Sequence, residues 1–113
     1  MVIMIEEVKV YQISDFEQRE LIPNSEVCFL HSENMTMAEW HFKPNTSLPE
    51  HSHPHEQVTK IISGEFELNV GGKTFRLKTG SAAVIPPNLI HSGKAITECH
   101  VIDVFHPVRD EYR

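Results

Sequence analysis

Short apolar and alternating runs, separated by turn residues about every ten positions, occupy the chain from residue 27 onward. The clearest pair is residues 65–70 and 73–77, in which apolar and polar side chains alternate on either side of Gly71-Gly72. A two-residue Gly-Gly loop accepts the positive φ angles of a tight hairpin turn, so this segment predicts a β-hairpin. Runs of this length and spacing predict an all-β sandwich or barrel.

Further strands are predicted at residues 8–13, 27–31, 36–42, 58–63, 82–85, 91–95 and 100–105, with one helical turn near residues 14–19. So many strands in a chain of 113 residues need closed or stacked sheets to protect their edges. A double-sheet jelly roll provides that protection. The length predicts a single domain over residues 1–113. Met35 and Met37, two residues apart, are expected to pack in the barrel core.

Charge and hydropathy exclude several classes of partner. Sixteen acidic residues against ten basic residues give a net charge of −6, so a basic surface for nucleic acid is not expected. No run approaches the roughly 20 apolar residues of a membrane-spanning helix. The apolar run at residues 1–5 is too short for a secretion signal. We therefore expect a cytoplasmic protein with Cys28 and Cys99 as free thiols.

Three histidines crowd into the segment His51-Ser-His53-Pro-His55-Glu-Gln57. Side chains two residues apart on a strand share a face, so the imidazoles of His51 and His53 can bind one metal ion at about 2.1 Å each. A fully extended run from residue 51 to 57 is too long for one coordination sphere. A bend around Pro54 would return Gln57 to the two histidines and leave His55 outside. A solvated loop or a hydrogen-bonded cluster without metal is the alternative.

A further ligand is expected from a distant strand. His91 is the candidate, because it opens a predicted strand just after the rigid Pro86-Pro87 turn. The other histidines, namely His31, His41, His100 and His106, are expected to be surface groups or hydrogen-bonded interior groups.

The spacing of these residues resembles the two sequence motifs of the cupin family. The matching positions of the first motif are Asn45, His51, His53, Gln57 and Gly64, and those of the second are Gly80, Pro86, Asn88 and His91. Asn45 and Asn88 replace glycines, and asparagine tolerates positive φ better than most residues. Ala95 departs from the motif's final asparagine. The resemblance implies a cupin double-stranded β-helix, or jelly-roll barrel, with one divalent metal ion on His51, His53, Gln57 and His91.

Three strings are closer to the pectin-degradation, KdgF-like cupins. They are His51-Ser-His-Pro-His-Glu-Gln57, Ile85-Pro-Pro-Asn-Leu-Ile-His91 and Val101-Ile-Asp-Val-Phe-His-Pro-Val-Arg-Asp110. That group linearises the unsaturated monouronates left by pectate and alginate lyases. The resemblance therefore implies a metal-dependent enzyme that converts 4,5-unsaturated monouronates to the linear keto form.

The proposed ligands also favour an anionic substrate. Three imidazoles and an amide are neutral, so the ion keeps nearly its whole charge and can polarise the oxygens of a small sugar acid. Such ligands accept Zn, Ni, Fe, Mn or Co, so the donor set leaves the metal open.

Asp103 lies in an apolar strand. Burial of a carboxylate there costs folding free energy unless the group is paired, so an unpaired one indicates a function. The resemblance implies that Asp103 is the general acid and base, that Phe105 shapes the pocket and that Arg109 grips the substrate carboxylate. Alternatives remain for two of them: Asp103 could point outward from an edge strand, and Arg109 could be an exposed surface charge.

Two other functions stay open from the sequence. Neutral ligands with open positions also suit iron and oxygen, which favours a metal-dependent dioxygenase. A non-enzymatic module that binds metal or a sugar acid is the other alternative. A homodimer built through residues 8–13 is expected, because that strand would otherwise be an exposed edge.

Overall fold

The computed structural model describes residues 7–113 and is built almost wholly from strands. Nine strands lie in this part of the chain: β1 (Ser25–His31), β2 (Thr36–Phe42), β3 (Ser47–His51), β4 (Glu56–Ser63), β5 (Glu65–Val70), β6 (Lys73–Lys78), β7 (Ala82–Ile85), β8 (His91–Ala95) and β9 (Cys99–His106). Two single 3-10 turns, Ile13–Asp15 and Asp110–Tyr112, flank them.

The strands form two antiparallel sheets that face each other. One sheet has the order β1-β2-β9-β4-β7 and the other has the order β3-β8-β5-β6. The predicted hairpin joins β5 to β6 through Gly71 and Gly72, whose φ angles are 57° and 84°. The all-β jelly-roll prediction is therefore confirmed.

Alternation along β2 and β9 sorts side chains between the barrel interior and its outer surface. On β2, Thr36, Ala38, Trp40 and Phe42 are buried, and on β9 Cys99, Val101, Asp103 and Phe105 are buried. The apolar members of these rows pack with Ile61, Phe66 and Ile85 in the core. Two polar groups, Thr36 and Asp103, thus face the interior among apolar neighbours, and Asp103 stands close to the site described below.

The structure corrects two predictions about alternation. Residues 8–13 form no strand: Val8 and Val10 are each 88% exposed, and the chain turns at Ile13–Asp15 instead. Met35 is exposed and Met37 lies on the outer face, because the buried residues of β2 are their neighbours in sequence. A period of two gives the alternation but does not say which of the two faces points inward.

Strand β3 was absent from the sequence prediction, because Pro49 stands inside it and proline is unusual within a strand. Pro49 is tolerated in a five-residue edge strand whose pairing with β8 is irregular between Leu48 and His51. The predicted turn near residues 14–19 is observed as the shorter turn Ile13–Asp15. The apolar run at residues 1–5 lies outside the described residues.

Both cysteines of the chain, Cys28 and Cys99, are buried free thiols. Over residues 7–113 the structure contains no helix long and apolar enough to cross a membrane.

Candidate metal centre

Two paired strands, β3 and β8, and the connection that follows β3 bring three histidines together at the mouth of the barrel. His51 ends β3, His91 opens β8, and the two residues face each other in the strand register. His53 follows in the connection to β4. The ring centroids are 4.1 Å apart for His51 and His91, 5.0 Å for His53 and His91, and 5.7 Å for His51 and His53.

Main-chain carbonyls orient all three rings. The Nδ1 atoms of His51 and His91 lie 2.8 Å from the carbonyl oxygens of Pro49 and Leu89, and the Nδ1 atom of His53 lies 3.1 Å from that of His55. A carbonyl only accepts, so in the neutral form of each ring the proton lies on Nδ1 and Nε2 keeps its lone pair. A hydrogen bond from the ring nitrogen that does not bind the metal is the usual way in which a protein orients metal-binding imidazoles.

The Nε2 atoms of the three rings are positioned to bind one metal ion. One ligand atom from each of the three rings lies within 4.8 Å of the others. The Nε2 atom of His91 is buried, and no hydrogen-bond partner meets it within residues 7–113. Burial, with the nearby positive charge of Arg109, lowers the pKa of His53 to about 4, and burial likewise lowers the pKa of His91. Both rings are therefore neutral near pH 7, as a metal ligand must be.

Gln57 completes this group from the second residue of β4. The chain bends at Pro54 and His55, as predicted, and this bend places the Oε1 atom of Gln57 3.1 Å from the Nε2 atom of His53. With the His53 proton on Nδ1, both of these atoms offer lone pairs. Two acceptors held this close fit a shared cation, and the structure therefore groups the four predicted ligands in an arrangement that suits one.

A short hydrogen-bond chain connects Gln57 to the buried carboxylate. The Nε2 atom of Gln57 donates to Thr59 Oγ1 at 2.8 Å, and that hydroxyl donates to Asp103 Oδ1 at 2.7 Å. Asp103 is 7% exposed and lies on β9, which is flanked by β2 and β4. It points inward and is not on an edge strand. Burial raises the pKa of Asp103 to about 6, against the lowering effect of its hydrogen bonds and of Arg109.

A cavity of about 410 Å³ opens beside this chain. Asp103, Phe105 and Arg109 all line it, together with His51, Gln57 and His91, and most of the remaining wall is apolar. The cavity is large enough for a small organic ligand. A negatively charged molecule inside it would meet Arg109 at one side and the histidine cluster at another.

Arg109 is held by aromatic rings at the edge of the cavity. It is only 9% exposed, so the alternative of a free surface charge is wrong. Its guanidinium lies 4.8 Å from the ring centre of Phe105 and 4.6 Å from that of Tyr112, and its Nε donates to Glu111. The backbone carbonyl of Tyr112 accepts hydrogen bonds from His31 and Arg19. The C-terminal turn is thereby fixed against the barrel.

Two side chains near the cavity were not identified from the sequence. Thr59 lies two residues after Gln57 on β4 and faces Asp103 in the register, so alternation along β4 could have found it. Tyr112 belongs to a short terminal turn, which no sequence periodicity marks.

His55 is buried, and no hydrogen-bond partner meets its Nδ1 atom within residues 7–113. As expected, His55 is not part of the histidine group.

The two asparagines in glycine positions adopt the predicted conformation. Asn45 and Asn88 both have φ angles of 67°. The amide of Asn88 donates to the carbonyl of His53, which ties the loop before β8 to the loop before β4. The left-handed turn at Asn88 therefore helps to bring His53 and His91 together.

Comparison with known proteins places this site in a family context. The cupin domain family matches residues 38–105. The pectin degradation protein KdgF of Dickeya dadantii (strain 3937) is 31% identical over 83 residues, which cover 72% of this chain and 76% of that protein.

Two further likenesses are more limited. The H2HPP isomerase of Bacillus subtilis is 32% identical over 62 residues, or 54% of this chain, and the matched segment spans only 26% of that protein. The solved structure of KdgF from Halomonas sp. superposes with a TM-score of 0.88 over 95% of this chain and 100% of that one. At 24% identity, the Halomonas structure supports the fold alone.

Proposed function

Because this chain belongs to the cupin superfamily and is KdgF-like, we propose that it is a metal-dependent enzyme that converts 4,5-unsaturated monouronates to the linear keto form. The observation that carries the proposal is one shared cavity. Two members of the histidine group, His51 and His91, line it together with the buried side chains of Asp103 and Arg109. A small sugar acid needs these three functions in one place: a cation for its oxygens, a group that moves protons, and a partner for its carboxylate.

The residues that would hold one divalent ion are His51, His53, Gln57 and His91. The ion would act as a Lewis acid that polarises the substrate oxygens. All four donors are neutral, so the ion's charge is not cancelled by its ligands and an anionic substrate is favoured. Imidazole nitrogens and an amide oxygen accept Zn, Ni, Fe, Mn or Co.

Arg109 and Phe105 would set the orientation of the substrate. The guanidinium has a planar face that stacks on aromatic rings and an edge that pairs with a carboxylate in two parallel hydrogen bonds. Its stacking between Phe105 and Tyr112 restricts its movement before substrate arrives. Apolar side chains along the rest of the cavity exclude water from the sugar ring.

Asp103 would move the proton in an isomerisation that needs no other reactant. The carboxylate takes the proton of the anomeric hydroxyl, the bond between C1 and the ring oxygen breaks, and C1 becomes an aldehyde. The electron pair of that bond remains on the former ring oxygen, which is now the negatively charged oxygen of an enolate at C5. Transfer of the proton from Asp103 to C4 converts the enolate to the C5 ketone.

The direct test is to incubate metal-loaded protein with the unsaturated monouronate that a pectate or alginate lyase releases. Loss of absorbance from the conjugated double bond reports conversion, and NMR of the product identifies the open-chain ketone. We expect conversion well above that of buffer containing the same metal. No acceleration over this control would overturn the proposal.

A metal-dependent dioxygenase is the second candidate, because the neutral donor set also suits iron with positions open to oxygen. Iron-loaded protein that consumes oxygen and leaves unsaturated uronates intact would favour it. A non-enzymatic binder would instead retain uronate without converting it, and Asp103→Ala would leave the uronate affinity nearly unchanged.

We also propose that the protein is a cytoplasmic homodimer. Residues 8–13 form no strand, so the proposed interface lies elsewhere than the sequence predicted. One apolar row crosses the outer face of the five-stranded sheet in register, formed by Leu30, Met37, Val104, Val58 and Val84. Val84 is 67% exposed within the single chain, and a second copy packed on this row would cover it. We expect light scattering to give a dimer for wild type and a monomer for Val84→Lys. A monomeric wild type would contradict this arrangement.

A further inference from the structure

The outer surface of the barrel carries a second group of metal-binding side chains, formed by Glu39, His41 and His100. Glu39 and His41 are two residues apart on β2 and therefore share a face, and His41 faces His100 on β9. The neighbours Ala38 and Trp40 are buried in the core. The group therefore lies on the side of these strands that faces away from the cavity.

Its members are close enough to share one ion. His100 Nε2 lies 2.9 Å from Glu39 Oε1, and His41 Nε2 lies 3.7 Å from the same oxygen. One ligand atom from each residue lies within 4.8 Å of the others. Ligands bound at about 2.0–2.2 Å to one tetrahedral zinc ion are separated by roughly 3.4 Å, so small side-chain rotations would bring all three into range.

Both rings converge on the same oxygen atom. The two imidazoles stack with their centroids 4.3 Å apart and their planes 20° apart, and the Nε2 atom of each lies within 3.7 Å of Glu39 Oε1. A divalent ion accepts electron pairs from all three groups at once.

We propose that Glu39, His41 and His100 form a second binding site for a divalent transition ion of the zinc type, separate from the proposed centre inside the barrel. Two imidazoles and one carboxylate are a donor set that zinc favours. Water would complete the coordination, because the side chain of His41 is 51% exposed. The ion would join β2 to β9 from outside, so its binding should raise the unfolding temperature.

The experiment is a zinc titration of the metal-free protein, with calorimetry for affinity and elemental analysis for stoichiometry. We expect two ions in wild type and one in His100→Ala. The variant His91→Ala should also bind one, at the outer site, and the combination of both changes should bind none. His106→Ala is the matched control, because it removes an exposed histidine at the end of β9 that belongs to neither group; it should bind two.

His41→Ala provides a second route to the same answer if His100→Ala does not fold, since His41 is the more exposed ring. The affinity of this variant for zinc at the outer site should fall by more than about tenfold. Even residues that only hydrogen-bond to metal ligands change metal affinity by about 10–100-fold when they are replaced. A wild type that binds one ion, lost in His91→Ala, would overturn the proposal. One ion that is kept in His91→Ala and lost in His41→Ala would support the outer site and count against the inner centre.

Discussion

The protein holds two groups of histidines, one inside the barrel and one on its outer surface, and they differ in what orients them. Inside, the rings of His51, His53 and His91 each donate to a main-chain carbonyl, and all other partners are neutral. Outside, the rings of His41 and His100 contact the side chain of Glu39 and stack on each other.

This contrast teaches that the same residue type serves different chemistry according to its surroundings. Donors that the backbone orients and that carry no charge when they bind would leave an ion its full charge, which suits the polarisation of a substrate. A half-exposed pair with a carboxylate would neutralise part of that charge, which suits stable binding without catalysis. The following substitutions test this division, beginning with the largest expected effect.

Removal of a ring from the inner group should have the largest effect. His91→Ala removes one proposed ligand whose Nε2 is buried at the centre of the group, so affinity for the inner ion should fall by more than about 100-fold. Uronate conversion should become undetectable. Elemental analysis and the conversion assay measure both results, and wild type stripped with a chelator should lose conversion and regain it with metal. Full retention of the inner ion would mean that the ligand set is wrong.

Replacement of the buried carboxylate should separate binding from chemistry. Asp103→Asn keeps the shape of the side chain but removes its capacity to take a proton, so kcat should fall by about 10²–10⁴-fold. The metal content should stay at the wild-type value, because Asp103 is not one of the proposed ligands and is connected to the histidine group through Gln57 and Thr59. Unchanged kcat would exclude Asp103 as the acid and base.

Thr59 should have a smaller effect, as a residue that positions Gln57 and Asp103. Thr59→Val keeps the volume but removes the hydroxyl between them, and we expect a loss of about tenfold in kcat. The unfolding free energy should also fall by about 1–3 kcal/mol, because two buried partners lose a hydrogen bond.

Thr59→Ser is the matched control, because it restores the hydroxyl and creates a small cavity. If the hydroxyl matters, kcat should return close to wild type in Thr59→Ser while stability does not fully recover. Equal losses of kcat in both variants would mean that packing at residue 59 is responsible.

The outer group should have the smallest effect on turnover. His41→Ala lies on the far side of β2 from the cavity, so uronate conversion should stay within about twofold of wild type, the usual range for a surface substitution. Steady-state kinetics at saturating metal provide the measurement. A larger loss would show that the two faces of the sheet are coupled, and the contrast between the groups would then fail.

The sequence predicted those parts of the molecule that depend on local chemistry. Gly71-Gly72 specified the hairpin because few other residues accept its backbone angles. His51 and His53 are neighbours in the chain, and motif spacing added Gln57 and His91, all of which the structure brings together. The cost of a carboxylate in an apolar strand marked Asp103 as a functional candidate. Its orientation stayed open in the sequence, and the structure shows that it is buried.

The remaining features depend on contacts between distant residues. Alternation could not tell which face of β2 is buried, so the placement of Met37 was wrong. Residues 8–13 alternate like a strand but pair with nothing within the described chain. The outer group joins Glu39 to His100 across the register of two strands. Only the folded sheet reveals such a pairing.

The main-chain carbonyls of Pro49, His55 and Leu89 have an evolutionary consequence. Every amino acid supplies the same carbonyl, so substitutions at these three positions need not disturb the rings that the carbonyls hold. The side chains that line the cavity can therefore diverge while the histidines keep their orientation. A scaffold of this kind can acquire new specificity by single substitutions, without passing through forms that have lost their reactive centre.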